Sequence, residues 1–476
     1  MDAADFVDET APLLPAIENA PHKPTPLPKA QLAILCTIRL MDPLTFTQIF
    51  PYINQFLTSL NLVPDKSHIG FYSGLVESSF ALFQLLFIYH WARISDMAGR
   101  RPVIIIGTAG LSISTILLGL ASSLPQILIA RCLAGTFSGI AAVLHSVLGE
   151  LTDQSNQTLA FPIYGLFWPL GSIVGPLIGG TLANPADQYP RLFGSFDFLI
   201  RYPYFLPCFF SGFLALCTTL ITYSFLREQV THLGQQKTAL LDVRVPNKSA
   251  AEMSTRDLFS IPIIGALCLS GCALCFIATA FDAVFVLFCY TPVESGGLSF
   301  DTSQIGYALA IAGASSIIIQ LTLLPSLLRT FSHARLYNFF MFLWPFTFAA
   351  LPILRFTLIS GGSHPGPHRL GLVWVEIVIL MSLSRFGCLA YSVSLILCKD
   401  HAPAPRALAK TNGLVLVGMC IARAIAPAFV SSVFAWSIQH HFMGGYFWIL
   451  VMVLICLVGC SLSKRIALPQ AALGPL

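Results

Sequence analysis

The sequence predicts an all-α membrane protein with twelve transmembrane helices arranged as two six-helix bundles and both termini in the cytoplasm. Three observations lead there. Hydrophobic residues make up 55% of the chain and charged residues only 10%, with a mean hydropathy of +0.76, a balance too apolar to cover the surface of a soluble protein. Apolar runs of about 20 residues, the length that crosses a bilayer, recur along the whole chain. The longest polar interruption, REQVTHLGQQKTALLDVRVPNKSAAEMSTRD from Arg227 to Asp257, divides those runs six and six.

In order, the expected spans are 31–57, 69–91, 102–122, 125–148, 160–182, 203–226, 258–290, 304–328, 336–355, 371–397, 407–435 and 442–463. The seventh is long enough that its end must tilt or leave the membrane. The implied organisation is a disordered cytoplasmic tail (1–30), an N-terminal bundle (31–227), a cytoplasmic linker (228–257), a C-terminal bundle (258–463) and a second tail (464–476). With the N-terminal tail inside, alternate loops carry roughly 17 Lys and Arg inside and about 5 outside, and the positive-inside rule then places both termini in the cytoplasm.

Composition also excludes several functions. A net charge of +4 spread over 476 residues does not suit a nucleic-acid partner. The thirteen cysteines fall mostly within apolar runs such as LCLSGCALCFIA and read as small packing residues rather than a disulfide framework. The N-terminus MDAADFVDET is acidic and polar, unlike a cleavable signal peptide, so the first apolar span directs insertion. No Ser/His/Asp arrangement, GxSxG or phosphate loop supports catalysis, and no His cluster resembles a metal site. Neither a cofactor nor a metal is expected, and the protein does not read as an enzyme.

Between spans 2 and 3 lies ARISDMAGRRPVII, Ala92 to Ile105, with four charges and one glycine in an almost uncharged neighbourhood. A tight turn between helices needs Gly99, and Asp96 can cap a helix start and pair with arginines across the half-bundle interface. On span 5, GSIVGPLIGG places Gly171, Gly175 and Gly179 at intervals of four, along one face where a second helix can approach closely. Pro176 removes a backbone donor and can bend that helix.

The first of these stretches resembles the loop signature G-x-L-A-D-R-x-G-R-K of the major facilitator superfamily. Asp96, Gly99, Arg100 and Arg101 match it, while Ala92 and Met97 depart from it. The second, which runs from Gly171 to Gly180, matches the G-x-x-x-G-P-x-x-G-G pattern of the antiporter branch in full. Further phrases, IRLMDPLTFTQIFPYI, GELTDQSNQ, YPYFLPC and NGL followed by RAIAPA, are similar to the twelve-span drug:proton antiporter class and to fungal zinc-induced facilitator-like transporters. The equivalent turn in the second half, LPSLLRTFSHARLY, lacks the Asp and Gly of the signature. The resemblance implies the major facilitator fold and secondary active transport, and it says little about cargo.

Charges at bilayer depth are costly and usually face a cavity or a partner. Those within spans are Arg39, Asp42, Glu77, Arg131, Asp282, Glu376, Arg385 and Arg423. Asp42 lies about 11 residues into its span, roughly 16 Å at 1.5 Å per residue, near the midplane. Arg39, three residues earlier, shares its face, and Pro43 weakens the helix there. Asp42 is therefore the leading proton carrier, with either a cavity-facing role or an ion pair to Arg39. Glu77 is the next candidate. Arg131, in ARCLAG, matches the superfamily's span 4 arginine without the usual following glutamine. Asp282 resembles a repeat counterpart of Asp42 nearer the outer mouth, and Arg385 is placed to meet an anionic substrate. Arg423 is read as a brace for the span 11 turn, and His145 as a hydrogen-bonded packing residue.

The expected function is proton-coupled antiport, export or vacuolar sequestration, of a small organic solute or drug. Its expected partners are that solute, protons and the lipid bilayer, and a monomer is the expected state. The alternative is a transport-dead receptor or scaffold of the same fold. In DETAPLL, Glu9 precedes Leu13 and Leu14 as in acidic-dileucine sorting signals. That favours vacuolar or endosomal membrane over plasma membrane, with a sorting adaptor reading the Pro-rich tail.

Overall fold

The computed structural model of the chain describes residues 27–60, 69–152, 156–228, 258–259, 261–360, 367–403 and 408–467. The sorting signal, Glu9 with Leu13 and Leu14, and the linker beyond residue 228 lie outside the described residues. The main helices are α1 (Lys29–Thr47), α2 (Ile53–Ser59), α3 (Ile69–Ala98), α4 (Arg100–Gly119), α5 (Leu124–Ser138), α6 (Ala141–Leu151), α7 (Gln157–Leu182) and α8 (Phe205–Phe225) in the first half. The second half has α9 (Pro262–Tyr290), α10 (Thr302–Thr322), α11 (His333–Ile359), α12 (Pro367–Cys388), α13 (Ala390–His401), α14 (Leu408–Gln439) and α15 (Phe447–Lys464).

Among the described residues, eleven helices are long and apolar enough to cross a membrane. The helix pairs α5/α6 and α12/α13 each act as one such unit with a local break, at Gly139–Ile140 and at Leu389. The expected first span, α1, is not among the eleven, because Arg39, Asp42 and three threonines dilute its apolar residues. Its core residues Leu35, Cys36, Ile38, Met41 and Leu44 are nonetheless buried, which fits a helix packed inside a bundle rather than one bathed in lipid. Pro43 has no N–H to give the Arg39 carbonyl, and the helix ends in a turn over residues 48–52 before α2 resumes.

The polar turn expected at 92–101 is mostly helix. α3 runs on to Ala98, α4 begins at Arg100, and Gly99 alone breaks the path at φ +95, a conformation that suits glycine. The segment between α7 and α8 holds three short helices whose starts at Pro185, Pro190 and Asp197 use residues that favour a first helical turn. At the start of α10 the sequence DTSQ forms a capping box. The Gln304 N–H donates to Asp301 (2.7 Å) and the Gln304 side chain accepts from the Asp301 N–H (3.1 Å), satisfying two otherwise orphaned donors.

Helices pack mainly with partners from their own half: α4 on α8, α1 on α7 and α3 on α5 before the linker, and α9 on α14, α11 on α12 and α11 on α15 after it. Among the described residues two extensive pairs cross between halves, α7 with α10 and α3 with α14, and α2 makes a smaller contact with α9. Small residues make these crossings possible. Gly180 lies against Gly306, and Gly74 against Ser431 and the Pro427 carbonyl. Polar stitches sit at the α7–α10 end, where Gln188 donates to Thr302 (3.1 Å) and Ser303 donates to the Gly180 carbonyl (3.1 Å). Gly171, Gly175 and Gly179 face α1 over Leu40 to Gln48.

Candidate functional site

The space between the halves is a cavity of about 460 Å³ walled by α1, α3, α7, α9, α10, α12, α13 and α14. Its charged lining is Glu77, Asp282, Arg385 and Arg423, set among aromatic side chains including Phe46, Trp168 and Tyr391. A volume of this size admits a small organic molecule.

Glu77 is buried and makes no hydrogen bond or ion pair with another described residue. Arg131 and Asp282 are charged groups close enough to act on it. Arg131 is fully buried behind it, its guanidinium 4.6 Å from the centre of Phe80 and 5.5 Å from that of Phe46. Its Nε and Nη2 find no acceptor among the described residues. Asp282 and Arg385, expected as separate sites, are partners: Arg385 Nη2 donates to Asp282 Oδ1.

The Arg39–Asp42 arrangement differs from expectation. No ion pair joins them among the described residues. Arg39 lies over Trp168 (4.7 Å) and Tyr164 (5.5 Å). Asp42 accepts a hydrogen bond from Ser138 and borders a second, much smaller pocket with Ile38, Thr108, Leu111 and Leu144. Shared helix face brings two residues near each other, but aromatic rings on α7 and a hydroxyl on α5 compete for them. Asp42 thus stands behind the cavity wall, and Glu77 on it.

Arg423, read from sequence as a brace, lines the cavity with its guanidinium 4.7 Å from the centre of Phe46 and 5.6 Å from that of Trp168. Nothing local signals this, because the two rings come from α1 and α7. Glu376 lies apart from the cavity and accepts from Thr357 (2.7 Å). The His145 ring is bonded to the Ala141 carbonyl (2.8 Å).

At the turn after α3, Arg100 pairs with Asp96 (2.6 Å) and Glu150 (3.1 Å). Both partners belong to its own half, so the expected pairing of Asp96 across the interface is absent among the described residues. Nor does Asp96 cap α4. Glu228, after the end of α8, accepts from the N–H groups of Arg100 (2.8 Å) and Arg101 (3.2 Å), placing a carboxylate at a helix N-terminus from outside the turn. Arg101 in turn donates to the Tyr223 carbonyl.

Comparison with known proteins agrees with this architecture. The sequence model described as Major Facilitator Superfamily matches residues 36–427. The chain is 37% identical to the Major facilitator-type transporter psiT2 of Psilocybe cyanescens, over 94% of this chain and 92% of that one. It is 29% identical to the Efflux pump azaK of Aspergillus niger, over 96% and 94%. Among solved structures, a bacterial homolog of the human lysosomal transporter Spinster, inward-facing and unoccupied, superposes with a TM-score of 0.67 at 17% identity, covering 93% of this chain and 98% of that one, which supports the fold.

Proposed function

The chain belongs to the Major Facilitator Superfamily, and from that premise we propose that it is a proton-coupled antiporter that exports or sequesters a small organic solute. One observation carries the coupling: Glu77 is a buried carboxylate with no ion pair among the described residues, opening on the central cavity. Antiport needs a group that holds either a proton or the cargo, and a carboxylate on the cavity wall, within reach of the charge of buried Arg131, can exchange one for the other. Asp42 is the second candidate, one layer behind.

In this reading α1 is the twelfth span, the bundles are 31–227 and 258–463 joined by the linker 228–257, and both termini are cytoplasmic. The bundles rock about the α3–α14 and α7–α10 crossings. The GSIVGPLIGG glycines hold α7 against α1 while this happens. A vacuolar or endosomal address follows from the Glu9, Leu13 and Leu14 signal, and steady-state residence of a tagged protein at the plasma membrane would count against it.

The test is transport by purified protein in sealed proteoliposomes under an imposed pH gradient. A solute that accumulates uphill and dissipates the gradient is the expected result. A solute that binds but neither moves nor carries protons in exchange would instead make the chain a receptor.

The turn provides a further check. Gly99→Val forces a β-branched residue to positive φ and drives its Cβ toward Glu228 Oε1. Glu228→Ala removes the carboxylate from the α4 start, an interaction worth about 1 kcal/mol. Both, and Asp96→Asn, are expected to lower initial transport rates several-fold while the protein still inserts. Unchanged rates at matched membrane abundance would reduce the turn to an anchor.

A further inference from the structure

Of the four charged side chains on the cavity wall, two satisfy each other, Arg385 and Asp282. The remaining two, Glu77 and Arg423, have no ionic partner among the described residues, and they do not pair with one another. Arg423 is held against Phe46 and Trp168. Stacking fixes a guanidinium plane but uses none of its five N–H donors. Among the described residues the cavity therefore presents one anion and one cation without an ion pair, beside flat aromatic walls, at a depth where unpaired charge is unfavourable.

The exchange reading adds a sign. A solute that displaces a proton from Glu77 must bring positive charge to replace it, while Arg423 offers a planar fork suited to a carboxylate or phosphate. We infer that the cargo is an ampholyte with a flat ring: an ammonium set against Glu77, an acidic oxygen group held by Arg423, and the ring lying against Trp168 and Phe46. The ammonium half rests on the proposed proton exchange. The Arg423 half rests on the geometry of the cavity.

Binding to the purified full-length protein, at one pH and without a gradient, tests this with four probes that share a benzene ring: para-(aminomethyl)benzoate, benzylamine, para-methylbenzoate and the neutral para-methylbenzamide. Ligand-induced thermal stabilisation over a concentration series gives each affinity. The ampholyte is expected to bind at least roughly tenfold more tightly than either singly charged probe, the scale of a charged hydrogen bond. Arg423→Gln removes that advantage and weakens para-methylbenzoate, yet leaves benzylamine unchanged. Arg423→Lys keeps the charge without the fork and recovers part of it. Glu77→Gln weakens benzylamine and spares para-methylbenzoate. Equal affinities across the panel, no binding by any probe, or an Arg423→Gln protein that loses benzylamine as fully as the ampholyte would overturn the inference. Ampholyte selectivity with no proton movement in proteoliposomes would sink the antiport reading and leave the Arg423 assignment standing.

Discussion

Glu77→Gln is expected to bring pH-driven accumulation down to the level of protein-free vesicles while downhill exchange of cargo persists. The substitution preserves shape and removes only the ability to alternate between a charged and a protonated state. Because Glu77 has no ion pair to break among the described residues, the protein loses no partner and should reach the membrane in normal amount. Arg131, whose charge acts on this position, then faces no group that alternates between charged and neutral, so the two bundles rock without proton movement. Asp42→Asn serves as the comparison. Its carboxylate already accepts from Ser138, and an amide oxygen can take the same bond, so a partial loss of rate is expected. Full proton-driven accumulation by Glu77→Gln, together with its abolition by Asp42→Asn, would move the coupling site to α1.

Gly179→Ala is expected to cost most of the folded protein. A Cβ at that position would fall on the carbonyl group of Gln48, with the Gln48 Cα also in contact. All the obstructing atoms are backbone, so no side chain can rotate aside. α7 would have to withdraw from the turn that follows α1, opening a seam that Gly171 and Gly175 also form. Overpacking of a close contact typically costs 1–3 kcal/mol, and the melting temperature in detergent should fall by several degrees with loss of the monodisperse fraction. Gly149 on α6, where an added Cβ meets nothing within 4 Å, is the control. There Gly→Ala should be neutral or slightly stabilising, since alanine favours helix by about 1 kcal/mol. Equal stability of the two variants would mean that α7 can shift at no cost.

The spans themselves were legible in the sequence because crossing a bilayer is a local demand. Each segment must be apolar over about 20 residues and satisfy its own backbone. That is why the eleven long helices coincide with the expected runs, and why α1, whose apolar run is interrupted by Arg39 and Asp42, falls short by the same measure. The glycines of GSIVGPLIGG were readable as a close-packing face, since spacing of four fixes a face on any helix. What that face meets was not readable, and neither were the partners of the charges. Asp282 and Arg385 lie 103 residues apart. Glu228 caps a helix that begins 128 residues earlier, and Arg423 stacks on rings from α1 and α7. Even Arg39 and Asp42, three residues apart on one helix, are drawn to different neighbours. Hydropathy is decided between a segment and its solvent, whereas the partner of a buried charge is decided by which helices abut, and that only the tertiary structure determines.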